Sequence, residues 1–142
     1  MALKIYQSAN PATSFSTDGE FSNPVRHTFD GRTGGVIEQR YYVRNDDPLI
    51  MCSGITVSLS DDQGRSIIDG TDGYSWKLKA GDTQPLDQEW ATIDEADPIT
   101  LSNITNTTTY LPFWVRIEVP RGAVVESFDD VKIVLTSNDI LL

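Results

Sequence analysis

The stretch Phe113-Trp114-Val115-Arg116-Ile117-Glu118-Val119 decides the fold. Phe113, Val115, Ile117 and Val119 take every second position, and Trp114, Arg116 and Glu118 fill the places between. Successive side chains on a strand point to opposite faces, so this segment buries one face and presents the other. The same period recurs along the chain. Ile55, Val57 and Leu59 alternate with Thr56, Ser58 and Ser60, and Val131, Ile133 and Leu135 alternate with Lys132, Val134 and Thr136. Shorter instances are Leu3/Ile5, Val25/His27/Phe29, Trp76/Leu78 and Ile99/Leu101. Strands apolar on one side only belong to antiparallel sheets rather than to parallel sheets covered on both faces.

Turn formers separate these runs at short intervals: Asp30-Gly31, Gly34-Gly35, Asn45-Asp46-Asp47-Pro48, Asp61-Asp62-Gln63-Gly64, Asp69-Gly70, Asp72-Gly73, Ala80-Gly81-Asp82 and Pro120-Arg121-Gly122. About eight short strands so punctuated predict an all-β chain, an antiparallel β-sandwich of Ig-like or jelly-roll type. At most one short helix is expected, near 85–94. There Leu86, Trp90 and Ile93 fall at i, i+4 and i+7 behind Pro85, with Thr83 as the candidate cap. A loop with one helical turn satisfies the same residues. Residues 9–23 show no alternation, so 1–23 reads as an extended arm or first strand ahead of a single sandwich domain at 24–142.

The composition is that of a folded domain: 142 residues, 39% apolar and 23% charged, close to the globular average and away from disorder. Twenty-one acidic residues against eleven basic ones give a net charge of −10, and the basic residues stand singly. Nucleic-acid binders draw most of their affinity from a basic face, so no nucleic-acid partner is expected, nor an anionic membrane surface. No run approaches the roughly 18 apolar residues of a membrane span. The opening Met1-Ala2-Leu3-Lys4-Ile5 has no signal-peptide pattern, so no secretory leader is expected. Cys52 is the single cysteine, which excludes an intramolecular disulfide and suits a reducing compartment. Segment 61–97 holds ten acidic and three basic residues, −7 of the total −10, and reads as a solvated edge or as an acidic docking surface.

Chemistry finds few footholds. His27, the sole histidine, lies between Val25 and Phe29 on the apolar side of its run, where a structural role is expected. Cys52 follows Leu49-Ile50-Met51 and reads as a small buried hydrophobe. One His and one Cys cannot build the four N/S ligands of a structural zinc site. Acidic groups at Asp61-Asp62, Asp69 and Asp72, and Asp94-Glu95-Ala96-Asp97 match no calcium-loop spacing. Gly31-Arg32-Thr33-Gly34-Gly35 lacks the Gly-Lys-Ser/Thr ending of a phosphate loop. The sequons at Asn103 and Asn106 matter only in a secretory pathway. No catalytic, cofactor-binding or metal-ligating residue is therefore expected. What remains is adhesive. Trp114 sits on the face shared by Arg116 and Glu118, and aromatics beside Arg are typical of protein interfaces. Ile140, Leu141 and Leu142 form an apolar run expected to dock on the body or on a neighbour. With Tyr110, these are the candidate partner interface: Trp114, Arg116, Tyr110, Ile140, Leu141 and Leu142.

Two stretches carry a family resemblance. Phe29-Asp30-Gly31-Arg32-Thr33-Gly34-Gly35 leads into Gln39-Arg40-Tyr41-Tyr42-Val43-Arg44-Asn45-Asp46-Asp47, and Tyr110-Leu111-Pro112 opens the strand that ends at Val119-Pro120-Arg121-Gly122. Together they resemble small β-sandwich virion proteins of tailed bacteriophages. The resemblance implies a non-enzymatic structural role on the particle, as a capsid decoration (cement) protein or as a neck, tail or baseplate component. It implies the major capsid protein or other virion proteins as partners, homo-oligomers in the assembly, and a protein made in the host cytoplasm and located in the virion. The competing class is a carbohydrate-binding module that stacks sugars on Trp114, Trp76 or Tyr110.

Overall fold

The computed structural model describes residues 2–6, 14–16, 34–61, 74–120 and 131–142. The run at Val25, His27 and Phe29, the boundary at residue 23 and the glycine-rich turn at 31–33 lie outside these residues. Within them every alternating run forms a strand. In chain order the elements are β1 (Leu3–Tyr6), β2 (Ser14–Ser16), β3 (Gly35–Asn45), β4 (Ile50–Asp61), β5 (Ser75–Ala80), α1 (Asp87–Trp90), β6 (Ile99–Thr100), β7 (Leu111–Val119) and β8 (Val131–Leu141). They make two antiparallel sheets, a five-stranded sheet A in the order β2-β1-β3-β7-β5 and a three-stranded sheet B in the order β6-β4-β8. From β3 onward no two consecutive strands pair with each other, so each connection crosses from one sheet to the other. The expected all-β, sandwich-like architecture is what forms.

The alternation sets which side of each strand is buried. Sheet A turns inward Leu3 and Ile5 from β1, Tyr41 and Val43 from β3, Leu78 from β5, and Phe113, Val115 and Ile117 from β7. Sheet B answers with Cys52, Ile55 and Val57 from β4 and Ile133 and Leu135 from β8, with Leu101 and Ile104 closing the side. Each such side chain contributes about 1.5–3 kcal/mol on leaving water. β1 pairs with β3 from Leu3 opposite Asn45 to Tyr6 opposite Tyr42, so the start of the chain is part of the core.

β4 departs from strict alternation, and the departure explains its full length. Cys52 and Ile55 are three positions apart yet both fully buried. A bulge between Ser53 and Thr56 restores the inward direction, and Gly54 supplies the left-handed conformation it needs, with φ +57°. Residues 101–104 close the open side of this strand. Cys52 and Ile104 exchange backbone hydrogen bonds of 2.8 and 2.9 Å, and the Leu101 N–H donates to the Ile55 carbonyl at 2.9 Å.

Asn45 builds the crossing from sheet A to sheet B. It is fully buried, its amide donates to the Ile50 carbonyl at 2.7 Å, and its Oδ1 accepts from the Asp47 N–H at 2.9 Å. Asp47 Oδ1 then accepts from the Leu49 N–H at 2.9 Å. The expected helix is a single turn whose N-cap is Leu86 rather than Thr83. Glu89 reaches back to the Leu86 N–H at 3.1 Å and takes over the role foreseen for a threonine hydroxyl. Leu86 itself is 59% exposed, and Trp90 alone carries the turn into the protein at 1%.

Candidate interface surfaces

The outward positions of sheet A form a ladder of cations and aromatic rings. Alternation on β3 places Glu38, Arg40, Tyr42 and Arg44 outward, and the register sets Arg40 beside Trp114, Glu38 beside Arg116, and Tyr42 beside Tyr6. The Arg40 guanidinium lies 5.2 Å from the Tyr42 ring centre and 5.9 Å from that of Trp114. Arg44 lies 5.8 Å from Tyr6 and 5.5 Å from Tyr110, within the range of cation–π attraction. Tyr110 meets Tyr6 and Tyr42 edge-on, with centroids 5.9 and 6.1 Å apart. The ladder is held at its ends. Arg44 Nε donates to the Thr107 carbonyl at 2.6 Å, and Asp46 receives the Tyr6 hydroxyl at 2.5 Å as well as ion pairs from Lys4 and Arg44, both at 3.4 Å. Burial first, then this bond and charge of Asp46, push the Tyr6 phenol up to about 12.

A strap of chain, residues 81–96 with α1 in its middle, covers the other half of this face. Trp90 is seated on the sheet, its indole N–H donating to Glu38 Oε1 at 2.6 Å. Arg116 holds three carboxylates: Glu38 at 3.1 Å, Asp87 at 3.2 Å and Glu118 at 2.9 Å. Burial works to lower the Arg116 pKa, but the bonds and charges of Glu118, Asp87 and Glu38 outweigh it and hold the group protonated. Lys77 Nζ reaches the Trp90 carbonyl at 3.0 Å, and the Ala96 N–H donates to the Trp76 carbonyl at 2.8 Å. Trp114 is half-buried, with its indole N–H on the Asp82 carbonyl at 3.1 Å. Two of the six candidate interface residues, Trp114 and Arg116, are thus engaged within the chain, and Tyr110 is half-buried in the ladder.

Ile140, Leu141 and Leu142 lie elsewhere, on sheet B. Their backbone is zipped into the sheet: Met51 pairs with Ile140, Ile50 with Leu141, and the Leu142 N–H donates to the Leu49 carbonyl at 2.9 Å. Their side chains are not covered. Ile140 is 47% exposed, Leu141 79%, Leu142 70% and the adjacent Leu49 66%. Register puts Leu49, Met51, Ile140 and Leu142 on one face, a compact apolar corner. The outward positions next to it along both strands are polar: Ser53, Thr56 and Ser58 on β4, Thr136 and Asn138 on β8. Among the described residues β8 has β4 as its sole strand partner. The candidate residues therefore divide into two surfaces on different sheets, and the corner is the exposed one. Leu49 was not among the candidate interface residues, because its place beside the end of β8 is a long-range fact that its own neighbours in sequence do not carry.

Other candidate chemistry is placed as follows. Cys52 is fully buried; burial first, then the Asp139 carboxylate beside it, push its thiol up to about 11, far from a reactive thiolate. Among the described residues no three His, Cys, Asp or Glu side chains gather as metal ligands. No described helix is long and apolar enough to cross a membrane. Asn106 of the second sequon is a turn residue, its Oδ1 accepting from the N–H groups of Thr108 and Thr109 at 3.0 and 2.9 Å and from both their hydroxyls. No family model, curated protein or solved structure matches the chain.

Proposed function

We propose that the chain is a non-enzymatic structural protein of a tailed-phage virion, a decoration (cement) component that adheres to the particle shell through protein–protein contacts. The resemblance of the Gln39-to-Asp47 and Tyr110-to-Gly122 stretches supports the particle; the apolar corner carries the adhesion. On one face Leu49, Ile140 and Leu142 stand in water where the firmly paired backbones of β4 and β8 end, and Leu141 is exposed on the other face. Exposed apolar clusters of this kind mark interaction sites in soluble proteins. A partner seated there removes this surface from water and raises the stability of the chain by mass action.

The geometry weighs against the sugar-binding alternative. Guanidinium groups lie over Trp114 and Tyr110, and the Trp114 indole N–H is already bonded. A stacking platform needs a free ring face.

The test is direct. Particles of the tailed phage that encodes the chain are banded on a density gradient and probed for it by immunoblot and mass spectrometry. Stoichiometric recovery in the particle band is expected, and electron microscopy of that band then assigns it to shell, neck, tail or baseplate. Recovery solely in the soluble fraction, or binding to a glycan array, contradicts the reading.

A further inference from the structure

Among the described residues, one face of this highly charged chain carries almost no charge. Outward positions of sheet B beside the apolar corner are Ser53, Thr56 and Ser58 on β4 and Val134, Thr136 and Asn138 on β8, with Thr100 of β6 next to Thr56. The first charged position on that face is Lys132, at the far end of β8. Sheet A differs. The outward positions of β3 and β7 alone bring Glu38, Arg40, Arg44, Arg116 and Glu118. Two carboxylates close to the corner are directed elsewhere: Asp139 lies across from the inward Cys52, and Asp47 Oδ1 accepts from the Leu49 N–H at 2.9 Å.

Such a face is its own chemical complement. A hydroxyl both donates and accepts a hydrogen bond, and the Asn138 amide does likewise, so Ser, Thr and Asn positions on two copies can satisfy each other. Aliphatic corners also match one another, whereas a charged face needs a partner of opposite sign. The chain bears a net charge of −10, so two copies repel where acidic surfaces meet, and the neutral face is where they approach most easily. Twelve residues of β4 at about 3.3 Å each, across three strands about 4.8 Å apart, give a face on the order of 500 Å², so two faces exclude roughly 1,000 Å². That is the low end for a specific interface and fits a weak dimer.

We propose that the free chain pairs with a second copy through the outward face of sheet B, as a two-fold dimer with the Leu49, Met51, Ile140 and Leu142 corners packed together. A two-fold axis along the strands sets corner on corner and keeps the rest of both faces in contact. Shell and second copy then compete for one surface. The inference rests on the corner being adhesive, as read above, and adds what covers it before a particle is met.

The test is sedimentation velocity of the full chain over a concentration series at low and high salt. A dimer with a dissociation constant on the order of micromolar is expected, no weaker at high salt, because screening removes the repulsion between acidic copies. Ile140→Ser with Leu142→Ser should weaken it at least about tenfold while the melting curve stays near the parent. Leu141→Ser removes a more exposed leucine from the opposite face and should leave the dimer unchanged. Thr136→Lys should separate the copies at low salt and let them rejoin as salt rises. A monomer at every concentration, a dimer that survives Ile140→Ser/Leu142→Ser, or an equal loss from Leu141→Ser each overturns the proposal. Failure here leaves the particle band of the preceding experiment unchanged, whereas a chain missing from particles removes the virion reading and leaves the dimer standing.

Discussion

Arg116 and Cys52 show how single side chains acquire meanings that neighbours in sequence do not reveal. Arg116 is flanked by Val115 and Ile117, which claim the core, and alternation sends it outward. Outward is not solvent here, because Glu38, Asp87 and Glu118 converge on it and its side chain is 15% exposed. Arg116→Ala leaves Glu38 close to other carboxylates without a cation, so it should cost about 2 kcal/mol in chemical denaturation. Arg116→Lys should recover part of that loss, because one ammonium cannot serve three carboxylates in a fork geometry. Cys52 governs alkaline stability. Its proton is held more tightly in the fold than in the unfolded chain, so its contribution is complete below the unfolded thiol value near 9 and is lost as pH rises through about 11. Tyr6 and Tyr41, both raised mainly by burial, extend the loss to higher pH. Denaturation midpoints measured across this window should fall with pH, and Cys52→Ala should flatten the fall between 9 and 11.

At the scale of elements, the sequence spoke clearly wherever one face met the core and the period stayed whole. β7, β5 and the first half of β8 are legible because Phe113, Val115, Ile117, Leu78, Ile133 and Leu135 never miss a beat. β4 was legible by period from Ile55 onward, with Leu49-Ile50-Met51-Cys52 at its head, and what stayed hidden was the bulge at Gly54 that breaks the period between the two parts. The second half of β8 was hidden for a different reason: it pairs through its backbone while its side chains stay exposed, so it has no inside–outside pattern to read. Gly54→Ala tests the bulge. Its φ of +57° disfavours a Cβ, and that atom would sit 3.3 Å from Asn138 Nδ2, so a loss of about 1–2 kcal/mol is expected by thermal or urea melting. Gly81 has open space around its Cβ position, but its φ of +121° lies beyond the left-handed region that side-chain residues can enter, so the same substitution should cost at least as much there through backbone strain alone. The strap offers a second check on elements. Trp90→Ala removes the larger of its two buried side chains and the bond to Glu38, and should cost about 3–5 kcal/mol while raising amide exchange across residues 81–96.

For the whole molecule, the two sheets divide the labour. Sheet A spends its outward face on its own chain: the arginine–aromatic ladder and the strap occupy Arg40, Arg44, Trp114 and Arg116. Among the described residues, sheet B keeps a mostly polar outward face with one apolar corner. Of the candidate site, the sequence made its apolar half visible as Ile140, Leu141 and Leu142, because aliphatics at an otherwise polar end stand out. It could not separate them from Trp114 and Arg116, since which sheet a strand joins is set by crossings through turns such as Asn45 to Ile50. The central claim is that the corner of sheet B holds the chain to its assembly. It is tested by the fraction of chain that co-bands with tailed-phage particles, measured for the native protein and for Ile140→Ser/Leu142→Ser. The native chain is expected in the particle band and the double variant, folded and melting close to the native temperature, at the top of the gradient. Equal banding of the two proteins, or a native chain that never bands with particles, contradicts the account.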